Sequence, residues 1–209
     1  MSQTSDIIKP EKKNKKEETM QKLICIIFIG TLLCTGCAST NSTARSAYNA
    51  HLTKGEHYIA SANYEKSLSE FTQALQFGEQ IKKTKIPTIM LGETYVMGNE
   101  IGKASKIADQ AIESWPNESS AWELCGKVEL KQNSLGEAER SFEKALKLAK
   151  KKEDKERLTS LISLTKGLNA YGQANMQSTK QCFAEIKDIK LAKDVKEKSK
   201  KYLGVEVAQ

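Results

Sequence analysis

Hydrophobic and polar residues are arranged along this chain in two different ways. Between Leu23 and Leu33 the eleven residues LICIIFIGTLL form one sustained apolar run. Beyond it, apolar residues stand singly or in short groups among Lys, Glu, Gln and Ser, and what recurs is a set of small residues at a fixed interval. Gly92 and Gly126 lie 34 apart, as do Ala104 and Ala138, and Ala111 and Ala145. A self-similarity of this length is the mark of a repeated supersecondary unit, and it defines the fold before any single residue does. Ala, Leu, Lys, Glu and Gln fill most of the sequence, with only 3 prolines and 6% aromatic residues, so the units are predicted to be helical. The expected fold class is all-α.

Further positions keep the same register. The third copy has Trp122, Gly126, Ala138, Phe142, Ala145 and Leu146, and the second has Leu91, Gly92, Tyr95, Ala104, Ala108, Ala111 and Pro116. The first has Gly55, Tyr58, Tyr64, Ser67, Phe71, Ala74 and Leu75. This pattern resembles the tetratricopeptide repeat, in which a large residue, Leu-Gly and Tyr mark the first helix and Ala, Phe, Ala and Pro mark the second. The resemblance implies a right-handed superhelical array of antiparallel helix hairpins over residues 47–203. Three clear copies fall at about 48–81, 85–118 and 119–152. A degenerate fourth is expected at about 160–193, because Gly167 and Phe183 keep the 16-residue spacing of Gly55 to Phe71 and of Gly126 to Phe142. Gly55 to Gly92 is three residues longer than the period, which predicts a longer loop around Lys82 to Pro87; seven extra residues precede the fourth copy. Glycine on one helix and alanine on the other let the two approach closely, and Tyr, Trp and Phe fill the gaps between neighbours. A polar terminal unit is needed for solubility, and residues 190–203, with Leu191, Val195 and Tyr202 among lysines, are expected to form a capping helix.

The apolar run is shorter than the ~20 residues of a spanning helix and reads as the core of a signal peptide over 20–36, with Lys22 before it and small residues after it. Its end, Leu33-Cys34-Thr35-Gly36-Cys37, resembles the lipobox of bacterial lipoproteins, which implies a covalent diacylglycerol on Cys37 at the mature N-terminus. An ordinary secretory signal cut near Ala38 is the alternative. Ala38 and Ser39 lack the Asp that keeps such proteins in the inner membrane, so the resemblance implies the periplasmic face of the outer membrane. Residues 1–19 precede a signal that is already complete from Met20, and are expected to be a disordered extension or a mis-assigned start. Residues 37–46 are polar and without hydrophobic periodicity, and are expected to be a flexible linker.

Charge is uneven. Residues 37–149 carry 13 basic and 14 acidic side chains, whereas 150–201 carry 14 and 7. That basic end suits anionic lipid or an acidic partner, or is simply a solvated lysine-rich surface. Nucleic acid is not an expected partner, because the export signal removes the chain from the cytoplasm. Cys125 and Cys182 fall on different predicted helices at small, buried-type positions and are expected to be free thiols.

Signs of catalysis are missing. His51 and His57 are six apart and turn to different faces of a helix, so they do not share a metal. The one phosphate-loop lookalike, GNEIGKAS over Gly98 to Ser105, has three residues between its glycines instead of four. The chain is expected to be no enzyme, with no cofactor beyond the lipid and no small-molecule substrate. The tetratricopeptide resemblance instead implies a groove for a protein partner along the first helices. Asn49, Leu52, Glu56, Ile59 and Ala60 fall there in copy one; Ile89, Glu93, Val96 and Met97 in copy two; Ser120, Glu123, Lys127, Leu130 and Lys131 in copy three. An apolar groove with acidic points suits a segment with apolar anchors and some basic residues. Equally, Leu52, Ile59, Ile89 and Val96 are the kind of residue that neighbouring hairpins bury. The expected function is a lipid-anchored adaptor or scaffold of the cell envelope, with the lipoproteins of pilus assembly as a resemblance and a non-catalytic subunit of a cell-wall enzyme as the alternative. Radiolabelled palmitate fed to cells should enter the wild-type protein and not Cys37→Ala; equal label in both would remove the lipid anchor from the account.

Overall fold

The computed structural model describes residues 41–187, and these are helical hairpins joined by short turns. The helices are α1 over residues 41–60, α2 Tyr64–Gln80, α3 Lys85–Met97, α4 Ile101–Ser114, α5 Ser119–Lys131, α6 Leu135–Leu148, α7 Lys152–Gly172 and α8 Met176–Ala184. No strand occurs among the described residues. The expected extension 1–19, the signal segment 20–36, Cys37 and the capping helix 190–203 lie outside them. From α2 onward each helix packs against the next in the chain, and α3 also touches α5, so first helices of successive hairpins are neighbours.

Counted from the glycine of each first helix, Gly55, Gly92, Gly126 and Gly167, the same local events recur at the same distances. Seven residues on stand Ala62, Asn99, Asn133 and Ala174, with φ of 56°, 61°, 62° and 58°. At each, the N–H of the following residue donates to a carbonyl five back while its own N–H donates to a carbonyl three back. Asn63 to Tyr58 and Ala62 to Ile59 are both 2.9 Å, as are Asn175 to Ala170 and Ala174 to Tyr171. This left-handed closure satisfies carbonyls that a helix end leaves open, at a cost of about 1 kcal/mol for a residue with a Cβ. Nine residues on, the second helix begins, at Tyr64, Ile101, Leu135 and Met176. The Oδ1 atoms of Asn63 and Asn175 cap it by accepting from the N–H of Lys66 and Ser178, at 3.2 and 3.1 Å.

Packing then follows from size. Twelve residues past each glycine, Ser67, Ala104, Ala138 and Thr179 have no exposed surface, and nineteen past it Ala74, Ala111, Ala145 and Ile186 are buried. Ser67 keeps its hydroxyl satisfied by donating to the carbonyl of Gly55 at 3.1 Å. Sixteen past it, Phe71, Phe142 and Phe183 lay their rings directly on Gly55, Gly126 and Gly167; a Cβ on Gly126 would stand 2.6 Å from the Phe142 ring, and those on the other two would collide with their phenylalanines as well. Residues at similar distances on either side of the turn meet, as an antiparallel pair requires. The second hairpin has Ala108 at that place, and there Leu124 of α5 fills the space over Gly92. Tyr58 and Tyr95, three past their glycines, carry Lys66 and Lys103 over their rings at 5.6 and 5.3 Å, and Lys144 lies 5.7 Å over Trp122.

Three boundaries differ from expectation. The three extra residues of the first copy lengthen α2, which has 17 residues against 14 in α4 and α6, while the connections 81–84 and 115–118 are equal. The seven residues before the fourth copy extend α7 to 21 residues beginning at Lys152, because Leu158, Leu161 and Ile162 bury against the core of α6. Within the expected linker 37–46, residues 41–46 are helical, since Ala44 and Tyr48, one turn apart, are each only 4% exposed. Cys125 and Cys182 are free and partly buried; burial pushes the Cys125 thiol up to about 11 and raises that of Cys182.

Gly126→Ala should lower unfolding free energy by about 1–3 kcal/mol, because the new methyl forces Phe142 out of place. Gly136→Ala on α6, where an added Cβ meets nothing within 4 Å, should be neutral or slightly stabilising. Urea denaturation followed by circular dichroism separates the two; equal effects would contradict the glycine-ring packing.

Candidate functional site

Because first helices of successive hairpins are neighbours, side chains one repeat apart on them meet. Lys127 Nζ on α5 donates to Glu93 Oε1 on α3 at 2.6 Å, and these residues are 34 apart. Arg157 on α7 grips Glu123 on α5 with Nε to Oε1 at 3.0 Å and Nη2 to Oε2 at 2.8 Å, again 34 apart. Lys127 closes the chain by reaching Glu123 at 2.9 Å, and Arg157 Nη1 also meets Asp154 at 3.0 Å. Charges therefore alternate Glu93, Lys127, Glu123, Arg157, Asp154 across three helices.

Burial makes this ladder consequential. The Glu123 side chain is 5% exposed, and Lys127 and Glu93 about a quarter. Desolvation alone would raise the Glu123 pKa, but the two hydrogen bonds from Arg157 and the charge of Lys127 hold it below the usual carboxylate value of 4.5. Desolvation would likewise lower Lys127, and the carboxylates of Glu93 and Glu123 on either side raise it. Arg157, bonded to Glu123, is raised in turn.

The ladder forms one side of a cleft of about 460 Å³ between α3, α5 and the start of α7. Ile86, Ile89 and Met90 supply its apolar side. Of these Ile86 is 51% exposed, whereas Ile89 is buried and also belongs to the core beneath. Of the expected groove residues the cleft collects Ile89, Glu93, Ser120, Glu123 and Lys127. Val96, two turns along the same face of α3 from Ile89, does not line it and packs in the core with Ala104, Ala108 and Leu124. Leu130 packs against the core of α6 and α7. Asn49, Glu56, Ala60, Met97 and Lys131 are exposed, and Leu52 and Ile59 half-buried, away from this cleft. Of the expected acidic points, Glu93 and Glu123 are paired with Lys127 and Arg157, whereas Glu56 is exposed outside the cleft. Arg157 was missed although the signal was there, since opposite charges 34 apart on first helices predict such contacts.

The two histidines are apart in role. His51 Nδ1 lies 2.7 Å from Glu70 Oε2 and its ring stacks on Phe77 at 5.5 Å, while His57 is exposed beside Tyr58. In comparison with known proteins, no family model matches the chain and no curated protein is significantly similar to it. No helix among the described residues is long and apolar enough to cross a membrane.

Replacing Arg157 by Gln leaves Glu123 buried with one cation instead of two, and should lower stability at pH 7 by about 1–3 kcal/mol. Because the Glu123 pKa is depressed in the folded chain, its contribution is complete above 4.5 and is lost as pH falls through the lower folded value. Urea midpoints at pH 7 and pH 3 should therefore differ less in Arg157→Gln than in wild type; an unchanged difference would show that Arg157 does not set the Glu123 charge.

Proposed function

We propose that the chain is an adaptor of the bacterial cell envelope, held at the membrane by lipid on Cys37, that binds a segment of another protein along the first helices of its hairpins. In this reading the hairpins are tetratricopeptide units wound into a right-handed superhelix. The observation that carries it is the cleft between α3, α5 and α7. It is made by one repeat standing beside the next, and it offers Ile86 and Met90 as apolar contacts at an open surface. Repeat stacking of this kind produces an extended binding face without any reacting group. The lipobox and the signal-like run before it support the envelope location, and assembly of a pilus or another outer-membrane complex is the sort of task such an anchored adaptor performs. The alternative, a non-catalytic subunit of a cell-wall enzyme, shares the same anchor and differs in what it brings down.

The double variant Ile86→Glu, Met90→Glu tests the cleft. Both side chains reach the surface, so its melting temperature should stay within about 2 °C of wild type. Crosslinked pull-down from envelope membranes, with Cys37→Ala as the unanchored control, should recover one stoichiometric protein with the wild-type cleft and lose it with the double variant. Retention by the double variant would place binding elsewhere, and recovery of murein fragments alone would favour the cell-wall subunit.

A further inference from the structure

A second cleft, of about 370 Å³, adjoins the first where α2 passes to α3. Lys85 and Ile86 line both, so the two are neighbours. Tyr48 and Trp115 form its walls, and the chain from Lys82 to Ile86 its remaining side. No carboxylate lines it among the described residues.

Its charged groups are all cations, and of these only Lys85 has a carboxylate partner among the described residues. Tyr48 is 4% exposed, yet its hydroxyl is buried without a hydrogen-bond partner. A buried hydroxyl left so costs about 1–3 kcal/mol, which calls for an explanation. Tyr48 lines the cleft, and its ring edge lies beside Gly78 near the end of α2. Burial raises its pKa, which keeps it an O–H donor. Lys82 and Lys83 are in no ion pair among the described residues, while Lys85 reaches Glu118 at 2.6 Å. The first turn of α3 opens on the same cleft, and its cap residue Thr84 makes no side-chain hydrogen bond to it, so the positive end of that helix adds to the field.

We propose that this second cleft binds a carboxylate side chain of the partner segment whose apolar residues occupy the first. The inference rests on the adaptor reading and adds the partner's chemistry. The sign follows from comparing the two clefts. Carboxylates of the first are bonded to Lys127 and Arg157, whereas Lys82 and Lys83 of the second are in no ion pair among the described residues. The apolar walls of Ile86 and Trp115 suit a group borne on a carbon chain better than a free inorganic anion. The partner segment is therefore apolar with an acidic residue, and not the basic one expected from Glu93 and Glu123.

Nitrogen-15 spectra of the full chain in detergent micelles test this with three probes: acetyl-Leu-Ala-Glu-Leu-Glu-amide, the same peptide with Gln for both Glu, and inorganic phosphate. The acidic peptide should saturably shift the amides of Thr84, Lys85 and Ile86, binding roughly 10-fold or more tightly than the Gln peptide, the usual effect of a charged hydrogen bond. Lys82→Gln with Lys83→Gln should reduce it to the level of the Gln peptide. Tyr48→Phe should weaken it several-fold while leaving the thermal melt equal to or above wild type, since the hydroxyl it removes is unpartnered in the free chain. Equal binding of both peptides, or phosphate binding as tightly as the acidic peptide, would overturn the proposal. Absence of shifts at residues 84–86 would also overturn it. Shifts at Ile89 and Met90 report the first cleft separately, so the adaptor reading survives if they persist and falls if they vanish too.

Discussion

The fold depends on a benzene ring pressed against a bare backbone. At Gly55, Gly126 and Gly167 the second helix of a hairpin brings a phenylalanine so close to the first that any side chain on the glycine would overlap it. That contact sets the distance between the two helices, and through it the burial of the small residues on either side. It is also what makes a single hairpin insufficient, because its other faces remain apolar until the next hairpin covers them. In the second hairpin the place of the ring is taken from outside, by Leu124 of α5, so the glycine is still covered while the covering residue now ties one unit to its successor.

Much of this is legible in the sequence. The glycines, the small residues twelve and nineteen further on, and the phenylalanines sixteen further on are all visible as a register, and even the fourth copy keeps it through Gly167 and Phe183. Helix ends were less legible. Ala44 is one small residue in a polar stretch, and only its contact one turn before Tyr48 reveals that the helix has already begun. The seven extra residues ahead of the fourth copy carried no sign of where they fall, and Lys152 to Arg157, mostly good helix formers, lead α7 directly into Leu158. How far the cleft runs along α3 was also out of reach: Ile89 and Val96 lie two turns apart on one face, yet only Ile89 lines the cleft, because the contacts of α4 and α5 cover Val96.

Electrostatics divide the surface into two kinds. Between first helices, opposite charges one repeat apart satisfy one another, and their partial burial makes the arrangement geometrically demanding without guaranteeing that it adds net stability. At the α2–α3 connection the charges are of one sign and the tyrosine hydroxyl has no acceptor. A ladder that is internally complete positions helices; an incomplete set of donors is available to a visitor. The same repeat geometry thus produces both a scaffold element and a receptive one within a few residues of each other.

All four tight turns within hairpins are built alike, down to the left-handed residue and its two hydrogen bonds, whereas every departure from the period falls on the far side of the array. Three residues were added at the end of α2 and about two turns at the start of α7, and neither addition moved a glycine off its ring. The protein therefore has one rim of invariant geometry and one that tolerates growth. Lys82 to Ile86 stand on the tolerant rim, where chemistry can be altered residue by residue while the stack behind it stays in register.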